Sequence, residues 1–246
     1  MGDKKSLKIC HLYPDLLNLY SDRGNITALK NRLMWRGIQA DIKEYKLRDD
    51  VDFNDADVVF LGGGSDREQC LVCERLKEQQ DNFKRYVESG GTVVAVCGGY
   101  QLLGKYYKLR NNTIEGISVL DIYTEAGNSR LIGNIVIKSE IEGKTFNIVG
   151  FENHGGRTFI GNHTPLGKVV YGYGNNGKDG AEGVLYKNVF ATYIHGPLLP
   201  KNPQLTDEIL KRALDRKYSE HIELKALDDE IENAANKYVV KRFGKR

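Results

Sequence analysis

Short apolar runs alternate with helix-patterned segments through the first hundred residues, and that order leaves few folds open. Leu7 to Leu12, Gln39 to Tyr45, Val58 to Leu61 and Thr92 to Val96 read as strands, with helices over about 25–36 and 67–89. Such a β-α-β order specifies an α/β fold, a mostly parallel sheet covered by helices. Asn25 can cap the first helix, Ile26, Leu29 and Leu33 recur at helical spacing, and Gly37 can end it. Gly90-Gly91 ends the second helix and feeds the strand Thr92 to Val96, which Cys97 follows immediately. After Gly104 the runs shorten: Ile117 to Tyr123, Leu131 to Ile137, Phe146 to Phe151, Val169 to Tyr173 and Val189 to Ile194. They are expected to form an antiparallel or mixed extension of the same sheet. From Gln204 onward Leu205, Ile209, Leu210 and Leu214 pattern an amphipathic helix. The expected organisation is one domain over 1–218 and a charged C-terminal helix or tail over 219–246.

Composition excludes several classes. In 246 residues, 40% hydrophobic and 28% charged is an ordinary globular balance. The 36 basic and 33 acidic residues are spread along the chain, so the net +3 gives no reason to invoke nucleic acid. The basic stretch Lys237 to Arg246 is too short to argue for a membrane surface. No window approaches the ~18 apolar residues of a membrane span, and Met1-Gly-Asp-Lys-Lys does not open a signal peptide. Cys10, Cys70, Cys73 and Cys97 then read as reduced thiols, and the expected compartment is the cytoplasm.

Thr92-Val-Val-Ala-Val-Cys97-Gly-Gly-Tyr-Gln-Leu-Leu-Gly104 sets one cysteine between a buried strand and a glycine-rich helix start, the arrangement of a nucleophile elbow. Ala95, Gly98 and Gly99 meet the steric demand of such a turn. A helix N-terminus stabilises a thiolate, so a lowered pKa is expected for Cys97. The alternative is a small buried cysteine before an ordinary turn. His195, in Val189-Phe-Ala-Thr-Tyr-Ile-His195-Gly-Pro197, also stands just past a strand, so the two can meet at one sheet edge as nucleophile and base; alternatively the imidazole is satisfied by backbone. Leu61-Gly62-Gly63-Gly64-Ser65 follows a third strand. Its N–H groups, with that of Gly98, can form an oxyanion hole around Gly63, Gly64 and Gly98, or equally cradle a phosphate.

With these elements in order, the chain resembles the class I glutamine amidotransferases through Cys97-Gly98-Gly99-Tyr100-Gln101. Within that class it is similar to the cobyric-acid-synthase branch through Gly150-Phe-Glu-Asn-His-Gly-Gly-Arg-Thr158 and Thr192-Tyr-Ile-His-Gly-Pro197. More narrowly it resembles the GatD-type glutaminase subunits of lipid II isoglutaminyl synthases. That likeness runs through Leu16-Leu-Asn-Leu-Tyr-Ser-Asp22, Gly62-Gly-Gly-Ser-Asp-Arg-Glu-Gln69 and Asn128-Ser-Arg-Leu-Ile-Gly133.

The resemblance implies a flavodoxin-like amidotransferase fold, with Cys97 as nucleophile, His195 as general base, and Arg130 and Gln101 as substrate-binding residues. A guanidinium suits a carboxylate through bidentate pairing. It also implies a heterodimer with a Mur-ligase-like (MurT-type) subunit. That partner would hold ATP and magnesium and take the lipid-linked acceptor at the inner membrane surface, amidating the D-glutamate α-carboxyl of lipid II to D-isoglutamine. No cofactor or metal is expected in this chain. Most class members carry a glutamate two residues after the histidine, where Pro197 stands here. The third triad group is therefore expected from the partner, with Glu152 as the internal candidate.

Other signals carry less. Cys70-Leu-Val-Cys73 has metal or redox spacing but lies in a helical pattern without a second ligand pair. Gly172 to Asp179 nearly fits a phosphate-binding loop, yet Asp179 stands where Ser or Thr is required, and Asn-Asn-Gly reads better as a turn. His154 is expected mainly in a structural hydrogen-bonding role. The rival functions are amidation of another acceptor such as a corrinoid, and a non-catalytic scaffold that only binds the partner.

Overall fold

The computed structural model describes residues 4–19 and 22–244. Five parallel strands form the central sheet, β1 (Ser6–Leu12), β2 (Gln39–Tyr45), β3 (Val58–Leu61), β4 (Thr92–Val96) and β12 (Val189–Thr192). β11 (Val184–Tyr186) closes one edge antiparallel to β12, giving the order β11-β12-β4-β3-β1-β2. Strand alternation divides the core between the two faces. Leu7, Ile9, Phe60, Val94 and Val96 pack beneath α1 (Arg23–Met34) and α5 (Pro203–Tyr218), while Cys10, Leu12, Val59, Leu61 and Ala95 pack on the other face. That second face is covered by α2 (Asp66–Glu78), α3 (Gln80–Glu88) and the short α4 (Gly98–Leu102). This is the flavodoxin-like arrangement that the sequence implies.

The expected single helix over 67–89 is two helices. The chain breaks at Gln79, whose buried side chain accepts the Val51 N–H at 2.9 Å. The expected strand Ile117 to Tyr123 is absent up to Ile122. The N–H groups of Ile117, Val119 and Leu120 instead bond the carbonyls of Leu102 and Leu103 at the end of α4.

The extension after Gly104 also differs from the expectation, since only β11 and β12 join the first sheet. The other strands build a second sheet. Its members are β5 (Tyr106–Lys108), β6 (Thr113–Glu115), β9 (Gly167–Tyr171), β10 (Ala181–Glu182) and the long hairpin of β7 (Tyr123–Ile141) with β8 (Lys144–Phe159). Glu142 and Gly143 join the hairpin at φ of 52° and 71°, the left-handed pair that a two-residue turn uses to match strand twist. Backbone bonds between Phe151 of β8 and His195 tie the two sheets together beside the end of β12.

The C-terminal segment ends in the helix α6 (Glu230–Phe243), whose Asn236 amide donates to Asn147, Lys201 and Asn202 oxygens. Arg32 pairs with both Asp207 and Asp229 and so fixes the approach to that helix. Among the described residues no helix is long and apolar enough to cross a membrane.

Candidate active site

β4 and β12 run side by side in register, Val96 opposite Thr192, so Cys97 and the segment leading to His195 leave the sheet at one end. The Cys97 N–H donates to the Thr192 carbonyl at 2.9 Å. Cys97 has φ 52° and ψ −107°, a conformation costing a non-glycine residue about 1–3 kcal/mol. The turn closes because Gly99 has no side chain: a β-carbon there would lie 2.7 Å from the Leu61 carbonyl oxygen. The sequence-predicted elbow is therefore present, with the Cys97 backbone tied to the end of β12.

His195 is fixed through its backbone, which exchanges both hydrogen bonds with Phe151 (2.9 and 3.1 Å), and its ring meets the Phe151 ring edge-on at 6.2 Å. Pro197 packs on Gly24, where a β-carbon would come within 2.6 Å of the proline ring. The position that holds glutamate in most class members is thus occupied by a packing contact.

The packing around the elbow works against the lowered cysteine pKa that a helix start would give. Burial pushes the Cys97 thiol up to about 12, with the nearby Asp22 carboxylate adding to the shift; the Gly98 N–H and Arg130 act against it. Burial likewise lowers His195 to about 4, and His154, Lys201 and Arg130 push the same way. At neutral pH the resting pair is a thiol and a neutral imidazole, the forms that general-base catalysis requires.

The three predicted oxyanion residues divide. The Gly63 N–H is committed to Asp22 Oδ2 at 2.7 Å, so it is not a free donor. Gly64 and Gly98 lie side by side, since a β-carbon on Gly98 would lie 3.0 Å from the Gly64 nitrogen. Gly63 contributes by its small size, because a β-carbon there would sit 3.2 Å from Cys97 Cβ and 3.7 Å from Sγ.

A cavity of about 730 Å³ opens over Cys97, walled by Gly64, Gln69, Gln101, Arg130, Asn153 and His154 among others. Arg130 comes from an interruption of the β7–β8 register between Ala126 and Leu131. Its Nε and one terminal nitrogen donate to the Asn153 side chain and carbonyl, both at 2.7 Å. That fixes one edge of the guanidinium on the cavity wall. Gln101 reaches the wall, and its amide nitrogen donates to the Tyr193 hydroxyl at 3.0 Å.

His154 stacks on Tyr193 at 3.7 Å, with Nδ1 2.9 Å from the Gly156 carbonyl oxygen. Glu152 does not serve as the third triad member in this geometry. Its oxygens accept the Tyr173 and Gly174 N–H groups at 2.7 and 3.0 Å, and it lies 3.6 Å from His154. Alternation along β8 turns it to the face opposite Phe151, the residue against the His195 ring. The same bonds place a carboxylate on the loop that nearly fits a phosphate motif, and that loop is a turn as expected: Asn176 Oδ1 accepts the Lys178 and Asp179 N–H groups. Cys70 and Cys73 lie on α2, and the Cys73 thiol faces the Glu115 carbonyl.

Residues 8–203 match the model of the CobB/CobQ-like glutamine amidotransferase domain. The chain belongs to this family of glutamine amidotransferases. It is 45% identical over 241 residues to the GatD subunit of the glutamine-hydrolysing lipid II isoglutaminyl synthase of Staphylococcus aureus (strain N315), covering 98% of this chain and 97% of that protein. It is 43% identical over 226 residues to the corresponding Streptococcus pneumoniae subunit, covering 91% and 86%. A cobyric acid synthase of Vibrio campbellii is more distant, at 32% over 149 residues, or 57% of this chain and 30% of that protein. A crystal structure of a glutamine amidotransferase aligns with a TM-score of 0.50 at 18% identity, over 83% of this chain and 98% of that one, and supports the fold. Three site residues in this amidotransferase had no role in the sequence reading: Asp22, Asp66 and Gln69. Each lies within a motif that carried the resemblance, which was the available signal.

Proposed function

We propose that this chain is the glutamine-hydrolysing subunit of a lipid II isoglutaminyl synthase. The observation that carries the reading is the joining of near full-length similarity to two GatD subunits with an intact Cys97 elbow beside the His195 segment. Glutamine enters the cavity with its α-carboxylate on the outer edge of Arg130. Its α-ammonium lies toward Asp66, the acidic side chain on the cavity wall. Cys97 Sγ attacks the side-chain carbonyl while its proton passes to His195. Gly64 and Gly98 N–H groups receive the developing oxyanion. The imidazolium returns the proton to the departing nitrogen, which leaves as ammonia, and a thioester remains. Water, deprotonated by His195, then releases glutamate.

Ammonia passes to a Mur-ligase-like partner, which activates the D-glutamate α-carboxyl of lipid II with ATP and magnesium at the inner membrane surface. Pro197 at the usual glutamate position, and the engagement of Glu152 elsewhere, favour a partner carboxylate as the group that supports the imidazolium. The test is glutamate release with and without the partner subunit. The isolated chain should be a slow glutaminase that the partner accelerates through kcat; equal rates would rule out completion of the triad in trans.

A further inference from the structure

The glycine loop over Cys97 is held at every peptide. The Gly62 carbonyl accepts the Gly99 N–H at 3.0 Å, and the Gly64 carbonyl accepts the Gln69 side-chain amide at 3.1 Å. Between them the Gly63 N–H donates to Asp22 Oδ2 at 2.7 Å, and the Gly63 carbonyl accepts the Leu19 N–H at 3.0 Å. Segment 17–19 presses on the loop so closely that a β-carbon on Gly62 would lie 2.3 Å from the Leu17 carbonyl oxygen. A trans peptide is planar, with its C=O and N–H antiparallel. Fixing the Gly63 carbonyl toward Leu19 therefore turns the Gly64 N–H the other way, to the side where its nitrogen approaches Gly98. The Asp22 bond fixes the preceding peptide and thereby the direction from which this one starts.

Asp22 is only 1% exposed, and the Asn25 side-chain amide lies 3.5 Å from its other carboxylate oxygen. Burial raises its carboxyl to about 7, a costly environment for an acid that the Gly63 N–H holds from the glycine loop. Asn25, three residues on, accepts the Leu199 N–H at 2.8 Å. One short segment thus holds the glycine loop by Asp22 and the chain beyond His195 by Asn25.

We propose that Asp22 is a positioning residue for the glutaminase reaction, holding the Gly63 N–H so that the next peptide presents its Gly64 N–H to the oxyanion beside Cys97. This rests on the reading of the cavity as a glutamine site. The acid acts through the loop and touches neither substrate nor sulfur. Losing the oriented donor should slow the chemical step while leaving the contacts at Arg130 intact. At the same time, losing the Asp22 charge removes one of the influences that raise the Cys97 thiol. The two effects have opposite signs on two reactions of the same sulfur.

The experiment measures glutamine hydrolysis and iodoacetamide alkylation of Cys97 for the wild type, Asp22→Ala and Asp22→Asn. For Asp22→Ala the expected kcat is about 100-fold lower, in the range for loss of one oxyanion donor, with KM within threefold and alkylation as fast or faster. Asp22→Asn keeps an oxygen for the Gly63 N–H and should hold kcat within about tenfold of wild type. The inference is overturned if Asp22→Ala turns over within threefold of wild type. It is equally overturned if alkylation slows in parallel with hydrolysis, the mark of a collapsed pocket. Should Asp22→Ala lack a cooperative melt, Asp22→Ser, whose hydroxyl stops short of Gly63, decides by the same comparison. A wild-type chain that alkylates but never releases glutamate would overturn the glutaminase reading, and this inference with it.

Discussion

Replacing Gly98 by alanine tests the oxyanion site at the atom where the structure is most specific. The new β-carbon would lie 3.0 Å from the Gly64 nitrogen and 3.0 Å from the Gln69 side-chain amide, at the limit of contact. A methyl group there occupies the space in which a substrate oxygen would meet the Gly64 N–H, since such bonds span roughly 2.7–3.1 Å. Loss of one preorganised donor costs about 2.7–4 kcal/mol of transition-state stabilisation, or 100- to 1,000-fold in kcat. Ground-state binding through Arg130 lies elsewhere on the cavity wall, so KM should hold within threefold.

Stability should change little. Gly98 opens a helix at an ordinary negative φ, where alanine gains about 0.4–1 kcal/mol through the unfolded chain, offsetting the tight contact with Gln69. The assay is steady-state glutamate release alongside a thermal melt. A folded Gly98→Ala with kcat within threefold of wild type would refute the assignment of Gly64 and Gly98 as the oxyanion donors.

Three further outcomes are expected. Arg130→Ala removes a charge-assisted pair worth roughly 1.5–3 kcal/mol, so kcat/KM for glutamine should fall at least tenfold, while external ammonia should restore amidation in the assembled complex. Because His195 is lowered to about 4 and must be neutral to act, kcat/KM in the isolated chain should be retained well below pH 6.5 and be lost only as pH falls through about 4. Asp22→Asn serves as the control, since it removes a carboxyl beside the glycine loop that burial raises to about 7; a partner carboxylate beside the imidazole would favour its charged form and move the limb upward. Asp66→Asn should raise KM for glutamine by about tenfold with little change in kcat, and an unchanged KM would remove Asp66 from the substrate site.

The parts of this molecule legible in its sequence are those that local pattern controls. The strands flanking Cys97 are continuous β-branched or apolar runs, and their β-α-β order dictates parallel neighbours, so the meeting of β4 and β12 could be anticipated. What failed were the places where a distant group decides. Gln79 breaks a helix because its side chain is taken by Val51, and the run from Ile117 to Ile122 is apolar because it caps α4 and not because it pairs in a ladder. A motif displays the helix start beside the thiol but not the packing around it, which acts on the thiol in the opposite direction. Arg130 sits in an irregular stretch that no periodicity marks, and only the resemblance singled it out. The Gly63 N–H was misassigned because a glycine-rich run does not reveal which amides a buried acid such as Asp22 has already taken.

The central claim, that Cys97 opens the side-chain amide of glutamine, is tested most directly by trapping the intermediate. Wild-type protein is mixed with isotopically labelled glutamine, quenched in acid on the millisecond-to-second scale, and mapped by peptide mass spectrometry. A γ-glutamyl thioester is expected on the peptide containing Cys97, appearing no later than free glutamate and absent from Cys97→Ser. Glutamate release that persists in Cys97→Ser, or an adduct confined to Cys10, Cys70 or Cys73, would contradict it.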